Sequence, residues 1–441
     1  MTQRYQSWGR YPKASHQIQT IQWPEDLPND LTKQIHGALP FGNGRSYGDC
    51  CLNDGGLLLD GRFRNRLLAF DAHSGILRCE AGVLLADILE LMTPRGWFPA
   101  VTPGTKLLTV GGAIANDVHG KNHHRTGSFG DHVHRIGLLR SDGQQLICSP
   151  DENTDLFRAT IGGIGLTGYI LWAEFSLRPI SNPYFDMETI RYGNVEDFFQ
   201  LSSESDQDYE YTLAWLDCQG RGKNLGRGLF MRGNHAPFIP QAQWPKHASR
   251  QLNMPIDPPF TLINGLTLKA FNTLYYYKQI RRSQCACVHY DSFFYPLDAI
   301  DNWNRIYGPK GFFQYQCVLP QESGQDGIKE ILKGIARSGQ GSFLGVLKVF
   351  GDRQSPGLLS FPRPGSTLAL DFPNRGKKTL TLLERFDTIV REAGGAVYIA
   401  KDARMSPSSF RHFYPQWQTF KSFVDPGFSS SFWRRVTEES S

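Results

Sequence analysis

Apolar positions recur at helical spacing from Val83 to Met92 (VLLADILELM) and stop before Pro94 and Gly96, which predicts a helix. Short apolar, β-branched and aromatic runs predict strands at Leu57–Asp60, Leu77–Cys79 and Tyr169–Leu177, each set off by glycine or proline. Asp155–Thr160 reads as a short helix. Beyond Pro179 and Pro183 the texture changes. Strand candidates at Tyr211–Leu216, Phe312–Leu319, Leu344–Phe350 and Thr367–Phe372 are joined by two longer helices, Ile328–Ser338 and Thr379–Ala393, the latter closing on Gly394-Gly395. Strands mixed with such helices indicate an α+β sheet domain. The stretch 235–282 is proline-rich, then aromatic and basic, with weak periodicity. The end of the chain, from Val397, is polar and aromatic and is expected to pack back on an earlier domain. No repeat of 20–50 residues is present.

Composition narrows the class. With 441 residues, two or three domains are expected, each able to bury a core. Forty per cent apolar against 20% charged residues excludes a disordered chain, and a net charge of +5 is too mild to argue for nucleic acid. The 8 cysteines are scattered. Cys50-Cys51 is vicinal and Cys285-Ala-Cys287 is too tight for ordinary zinc spacing, so free thiols in a reducing compartment are expected. The polar start carries no secretory signal and no run approaches a membrane span, which leaves a cytoplasmic protein.

Of the 45 glycines, 21 fall between Gly42 and Gly168, and three loops there carry candidate chemistry. They are Gly42-Asn43-Gly44-Arg45-Ser46-Tyr47-Gly48-Asp49, Thr109 through Gly120, and Ile161-Gly162-Gly163-Ile164-Gly165-Leu166-Thr167-Gly168. Glycine lets backbone N–H groups approach a ligand closely, and successive N–H groups can form a nest for a phosphate or diphosphate. Gly163-x-Gly165-x-x-Gly168 matches the dinucleotide fingerprint, but that mechanism needs strand, turn, then helix. Here the order is helix, glycines, strand, and a Rossmann reading fails. No loop ends in Gly-Lys-Ser/Thr. Three loops together point to one extended anionic cofactor. His119, His123, His124, His132 and His134 crowd the same region; without an HExxH helix a metal site is not favoured, and His119, inside the second loop, is the functional candidate.

These residues carry a resemblance. Pro40–Asp49 (PFGNGRSYGD), Ala81–Leu89, Pro103–Val133 (PGTKLLTVGGAIANDVHGKNHHRTGSFGDHV) and Ile161–Ile170 resemble the flavin-binding half of the vanillyl-alcohol-oxidase/PCMH-type superfamily. Within it the chain is most similar to the branch of decaprenylphosphoryl-β-D-ribose 2′-oxidases, flavin subunits of ribose-to-arabinose epimerases. The likeness runs nearly end to end, through WGR at 8–10, AWLD at 214–217, PLD at 296–298, GFFQYQ at 311–316, KVFG at 348–351, DFP at 371–373 and AKDAR at 400–404.

The resemblance implies a two-lobed α+β fold. Residues 1–179 would form the PCMH-type FAD domain, 180–394 a substrate (cap) domain with a large antiparallel sheet, and 395–441 a segment returning to the FAD domain. Arg45 stands where covalent members place a histidine, so FAD would be noncovalent. By the same matching FAD touches Gly42, Asn43, Gly44, Arg45, Ser46, Tyr47, Gly104, Thr105, Lys106, Val110, Gly111, Gly112, Ala113, Asn116, His119, Gly120, Gly165 and Ile170. Gln314, Gln316, Lys348, Phe350, Thr367 and Lys401 would face the substrate.

Oxidising a secondary alcohol removes a hydroxyl proton and a hydride. Lys401 is the candidate cation beside the reduced flavin, and His119 or a lysine made less basic by burial the proton acceptor. Gln314 and Gln316, two apart on a strand, share a face and can hold a sugar hydroxyl or the flavin edge. Two departures bear on the substrate: the branch's Asn and Cys are Thr367 and Ala369 here, and a tyrosine becomes Phe294 beside Tyr295. The lost thiol would remove thiol-directed inhibition. The expected partners are a polyprenyl-phosphate-linked pentose, a short-chain keto-reductase and, through the aromatic and basic stretch 268–282, a membrane surface, so that the cytoplasmic protein would be peripheral at the inner membrane. The same flavin chemistry on a soluble alditol or aldonolactone is the alternative, and a flavin-free histidine-rich metal- or carbohydrate-binding protein is the alternative of another class.

Overall fold

Along the strand Tyr169–Pro179, Leu171, Ala173, Phe175 and Leu177 are buried while Trp172, Glu174, Ser176 and Arg178 between them are half-buried. That period of two belongs to a sheet with one covered face. In the computed structural model, which describes residues 5–28, 30–238 and 252–438, this strand is the centre of a six-stranded antiparallel sheet. Ile76–Glu80 and Val133–Leu139 flank it, Leu67–Asp71 and Gln145–Cys148 lie outside them, and Trp97–Pro99 pairs with its far end. A three-stranded parallel sheet stands alongside, in the order Gln17–Thr20, Leu57–Asp60, Ala38–Phe41. The helix expected from Val83 runs Leu85–Met92 and buries Leu85, Ile88, Leu89 and Met92, one apolar stripe.

After Pro179 the chain crosses to an eight-stranded antiparallel sheet. Its order is Ser283–His289, Tyr184–Tyr192, Gly228–His235, Tyr211–Leu216, Gly345–Phe350, Gly365–Pro373, Phe312–Leu319, Ala396–Val397. Helices Gln321–Ser338 and Lys377–Glu392 cover one face through Ile328, Ile331, Leu332, Ile335, Leu382, Leu383, Phe386 and Val390. Each such side chain contributes about 1.5–3 kcal/mol relative to exposure. The central strands are divided by their alternation. Phe313, Tyr315, Leu368 and Leu370 join the core cluster that includes the helix side chains, whereas Gln314, Gln316, Thr367 and Ala369 line a cavity on the opposite face. The fold is α+β and two-lobed.

Several elements depart from expectation. The helix expected at Ile328 begins seven residues earlier, at Gln321. Gly324 and Gly327 are not breakers there: a Cβ at Gly324 would stand 2.3 Å from Ser366 Oγ, and one at Gly327 2.7 Å from Leu319 Cδ1, so glycine allows the helix to lie close on the sheet. Strands Tyr184–Tyr192, Gly228–His235 and Ser283–His289 were not anticipated; the last is an edge strand, exposed from Ser283 to Cys287, whose polar sequence carries no core signal. Within 235–282, residues 239–251 lie outside the described residues, and Gly265–Tyr277 is a helix burying only Leu268 and Asn272, hence its weak periodicity. The C-terminal segment lies against the first lobe. Ser429 donates its N–H to Ala38 O at 2.9 Å, Asp425 to Leu166 O at 2.8 Å, and the Arg435 guanidinium spans Asp49 and Asp402.

Candidate active site

Gly42 and Thr109 bring the first two glycine loops together. A Cβ on Gly42 would stand 2.4 Å from Thr109 Oγ1, so the loop after Ala38–Phe41 meets the start of the short helix Val110–Ala115 only because residue 42 lacks a side chain. Thr109 Oγ1 accepts the Gly112 N–H at 3.1 Å and caps that helix. Asn43 Nδ2 donates to Leu107 O at 2.7 Å and Arg45 Nε to the same oxygen at 3.2 Å, while the Arg45 guanidinium lies 4.2 Å over the Trp8 ring. The third loop, between helix Thr154–Thr160 and strand Tyr169–Pro179, keeps the helix–glycine–strand order and turns through Gly165 at φ 77°.

These loops wall one side of a cavity of about 460 Å³ whose other side is the polar face of the eight-stranded sheet. Among the described residues, the N–H groups of 43–46 spend no hydrogen bond within the protein, and the buried Asn116 Oδ1 has no partner. Buried backbone donors are normally paired. Unspent donors on a glycine wall fit the diphosphate and polar edges of FAD.

The opposite wall concentrates titratable groups. His119 Nε2 lies 2.9 Å from Gln316 Nε2 and its Nδ1 lies 3.0 Å from Lys348 Nζ. Lys348 Nζ also donates to Gly120 O. With the Gln316 N–H donated to Nε2, the single ring proton sits on Nδ1 and is donated to Lys348, whose amine then accepts it uncharged. Burial lowers Lys348 to about 7, helped by the charge of Lys121, and holds His119 well below its ordinary value, helped by Lys348. Lys401 lies 3.9 Å over the Tyr47 ring and is lowered by burial to about 8, with the Asp371 carboxylate opposing the fall. Burial raises Asp371 to about 7; it accepts Gln314 Nε2 at 2.7 Å and so fixes the amide. Among the described residues Lys401 Nζ meets no protein acceptor, which leaves its N–H groups for a ligand.

Most of the anticipated residues meet at this cavity: Gly42 to Tyr47, Gly104, Thr105, Gly111, Gly112, Asn116, His119, Gly120, Gly165, Ile170, Gln314, Gln316, Lys348, Thr367 and Lys401 all line it. Four do not. Lys106 turns outward to Asp291 Oδ1 at 2.5 Å, and Val110 and Ala113 face the core because the short helix buries that side. Phe350 lies behind the wall and supports the His119 and His123 rings, with centroids at 4.9 and 4.4 Å. The histidines separate rather than cluster. His124 bonds Tyr209 O, His132 Thr126 O and His134 Ser176 Oγ. Among the described residues, no group of three His, Cys, Asp or Glu is placed to hold a metal. Sequence reasoning missed Lys121, Tyr398 and Trp8 on the wall and Asp371 behind it, although HGK, WGR and DFP were in view.

The model of the FAD binding domain family matches residues 31–149. The chain is 36% identical, over 99% of its length and 97% of the relative's, to decaprenylphosphoryl-β-D-ribose oxidase of Mycolicibacterium smegmatis. It is 32% identical to mouse L-gulonolactone oxidase over 40% of each chain. Human Δ(24)-sterol reductase is 33% identical over 26% of this chain and 22% of its own.

Proposed function

The chain belongs to the decaprenylphosphoryl-β-D-ribose oxidase family of FAD-dependent oxidoreductases, and from that premise we propose that it oxidises the 2′-hydroxyl of a polyprenylphosphoryl-β-D-ribose to the 2′-keto form. The observation that carries this reading is the facing of two walls: unspent N–H donors on glycine loops across from a proton relay on a sheet. FAD, when bound, supplies the hydride acceptor. Residues 1–179 hold it noncovalently, with 395–441 returning to brace that domain and 180–394 presenting the substrate.

Once the substrate hydroxyl displaces the Gln316 N–H from its lone pair, His119 Nε2 takes the hydroxyl proton while the Nδ1 proton passes to Lys348 Nζ, so the couple has the basicity of the lysine rather than of the ring. Lys401 places a fixed cation where negative charge develops. Gln314, whose Nε2 is held by Asp371, can accept from a sugar hydroxyl through its carbonyl oxygen. Ala369 and Thr367 make that part of the wall smaller and free of thiol. A keto-reductase of the short-chain type would consume the product and complete an epimerisation to arabinose.

The lipid part of the substrate calls for a membrane surface beside the mouth. Among the described residues, 11 of the 17 exposed large apolar side chains lie between Phe238 and Ile300, Leu266, Leu274 and Ile280 each more than 70% exposed. Lys269, Lys278, Arg281 and Arg282 are exposed among them. Ile300 belongs both to this segment and to the cavity lining, so the segment reaches the cavity. Apolar side chains with basic neighbours suit an anionic bilayer, and we place the protein peripherally at the inner membrane. No helix among the described residues is long and apolar enough to cross it.

Anaerobic addition of farnesylphosphoryl ribose should bleach the bound flavin. Bleaching by a free alditol alone would move the activity to soluble polyols. For the membrane, sedimentation with phosphatidylglycerol liposomes should carry down the wild type and leave a Lys269/Lys278/Arg281/Arg282→Ala variant behind; equal binding would refute the contact.

A further inference from the structure

Lys121 follows His119 and Gly120 into the cavity and, among the described residues, meets no carboxylate. Its ammonium donates to the Phe293 carbonyl oxygen and lies 4.4 Å from the Phe293 ring centre and 5.6 Å from that of Phe294. Those partners are dipoles and π faces; they carry no charge. Lys348 beside it is likewise held by a carbonyl and an imidazole. The other cations of the cavity are balanced: Asp371 acts on Lys401, and Asp298 and Asp301 act on Arg45. With Lys348 an uncharged amine, Lys121 is the cation of the cavity left without an anion, in a lining that also includes Leu213, Phe294, Leu344 and Val346.

Isolating an ammonium from water is costly unless an anion joins it. Burial accordingly lowers Lys121 to about 7. An ammonium has three N–H donors, of which the Phe293 carbonyl uses one. Two remain for a tetrahedral oxyanion.

We propose that Lys121 is the receptor for the phosphate-ester anion of the substrate. The phosphoryl oxygens accept its two remaining N–H groups, the apolar wall takes the first carbons of the ester chain, and Lys348 next to it stays an uncharged amine available to the relay. The inference rests on the reading that the substrate is a phosphorylated sugar lipid. An oxyanion at this point could come from that substrate or from the diphosphate of FAD. The unspent N–H groups of 43–46 are the natural seat of the diphosphate, which leaves Lys121 for the substrate.

The test uses FAD-loaded enzyme and a matched pair of probes, farnesyl phosphate and farnesol, titrated by the flavin difference spectrum and by calorimetry. Farnesyl phosphate should bind the wild type, at least tenfold more weakly Lys121→Met and Lys121→Gln, and Lys121→Arg within about threefold of the wild type. Farnesol should bind all four alike, and FAD content should not change. Two neutral replacements and one charged replacement keep the comparison open if one of them fails to fold. Equal affinity of wild type and Lys121→Gln for farnesyl phosphate would overturn the assignment alone. Loss of FAD with farnesyl phosphate binding intact would give Lys121 to the cofactor and also overturn it. A wild type that binds neither probe and is bleached only by a free alditol would overturn both this inference and the substrate reading beneath it.

Discussion

Replacing Lys348 by Met separates the chemistry of the relay from the stability of the fold, because the two should move in opposite directions. Lys348 is 5% exposed, and burial lowers its amine from 10.5 to about 7. If it receives the substrate proton through His119, the wild-type rate of anaerobic flavin reduction should rise about tenfold per pH unit below 7 and level off above. A positioned base contributes about 10²–10⁴-fold, so Lys348→Met should slow reduction at pH 8 by at least about a hundredfold and remove the inflection near 7. The stability sign follows from the same numbers. The folded state holds its proton less tightly than the unfolded chain, so the cost is complete below pH 7 and disappears as pH rises toward 10.5. That cost is about 5 kcal/mol at most at pH 6. Losing the bonds to Gly120 and His119 returns about 1–2 kcal/mol each. The Met variant should therefore be more stable than the wild type by about 1–3 kcal/mol at pH 6, and equal to it or less stable by up to about 2 kcal/mol at pH 9, where the cost has fallen to about 2 kcal/mol. Stopped-flow reduction between pH 5.5 and 9 and urea unfolding at pH 6 and 9 supply both readouts. A Met variant that keeps the inflection near 7 and a near-normal rate would refute the relay; one destabilised at pH 6 would refute the burial argument.

Arg435→Leu should strand Asp49 and Asp402, 2% and 3% exposed, at about 3–5 kcal/mol, read as a lower urea midpoint and faster release of FAD; an unchanged midpoint contradicts this. Gly48→Ala should destabilise by about 3 kcal/mol or more, because a Cβ there would stand 1.6 Å from Asp402 O; normal thermal melting would show that the turn yields freely. The wild type should resist a charged methanethiosulfonate, since Ala369 offers no thiol and burial pushes the cavity-lining Cys50 up to about 12. Ala369→Cys should become sensitive, and equal inactivation of both proteins would point to Cys50 or Cys51 instead.

The sequence was most legible where one local pattern has one structural cause. Gln314 and Gln316 are two apart, and a strand puts them on one face; Leu85, Ile88, Leu89 and Met92 make a stripe that only a helix aligns. The order of helix, glycines and strand around Gly165 is local too, and it excluded a Rossmann turn. What could not be read depends on distant partners. Lys121 looks like any lysine until Phe293 and Phe294 close over it. Gly324 looks like a helix breaker until Ser366 arrives from a strand more than forty residues away. Ile164 takes φ 48°, where a β-branched residue is strained, because its N–H is tied to Ala115 O at 2.8 Å and its side chain is wanted at the cavity wall. Lys106, Val110 and Ala113 belong to matched loops, but a motif constrains the backbone path and not the side each side chain takes.

The buried charges around Lys401 show why the chain returns to its beginning. The turn Ile399–Lys401 is held from three directions: Tyr47 donates its N–H to Ala400 O at 2.8 Å, Arg435 from the C-terminal helix grips Asp402 at 2.9 Å and Asp49 at 2.8 Å, and Arg404 binds Asp387 at 2.6 Å, which also accepts from Tyr315 at 3.1 Å. Apolar side chains of the same volume would stabilise the fold as well or better. They would not fix a direction. Each of these ion pairs carries a hydrogen-bond geometry, and together they tie the cofactor loop, the substrate sheet and the tail to one turn. In the proposed reaction the residue that benefits is Lys401, whose ammonium would have to stay within about 0.5 Å of where charge develops. Without Arg435, the turn would keep its bond from Tyr47 and the Arg404–Asp387 pair but lose the tie that joins Asp402 to Asp49 of the cofactor loop. On that proposal the tail serves the geometry of the site although no atom of the helix Ser431–Thr437 lines the cavity.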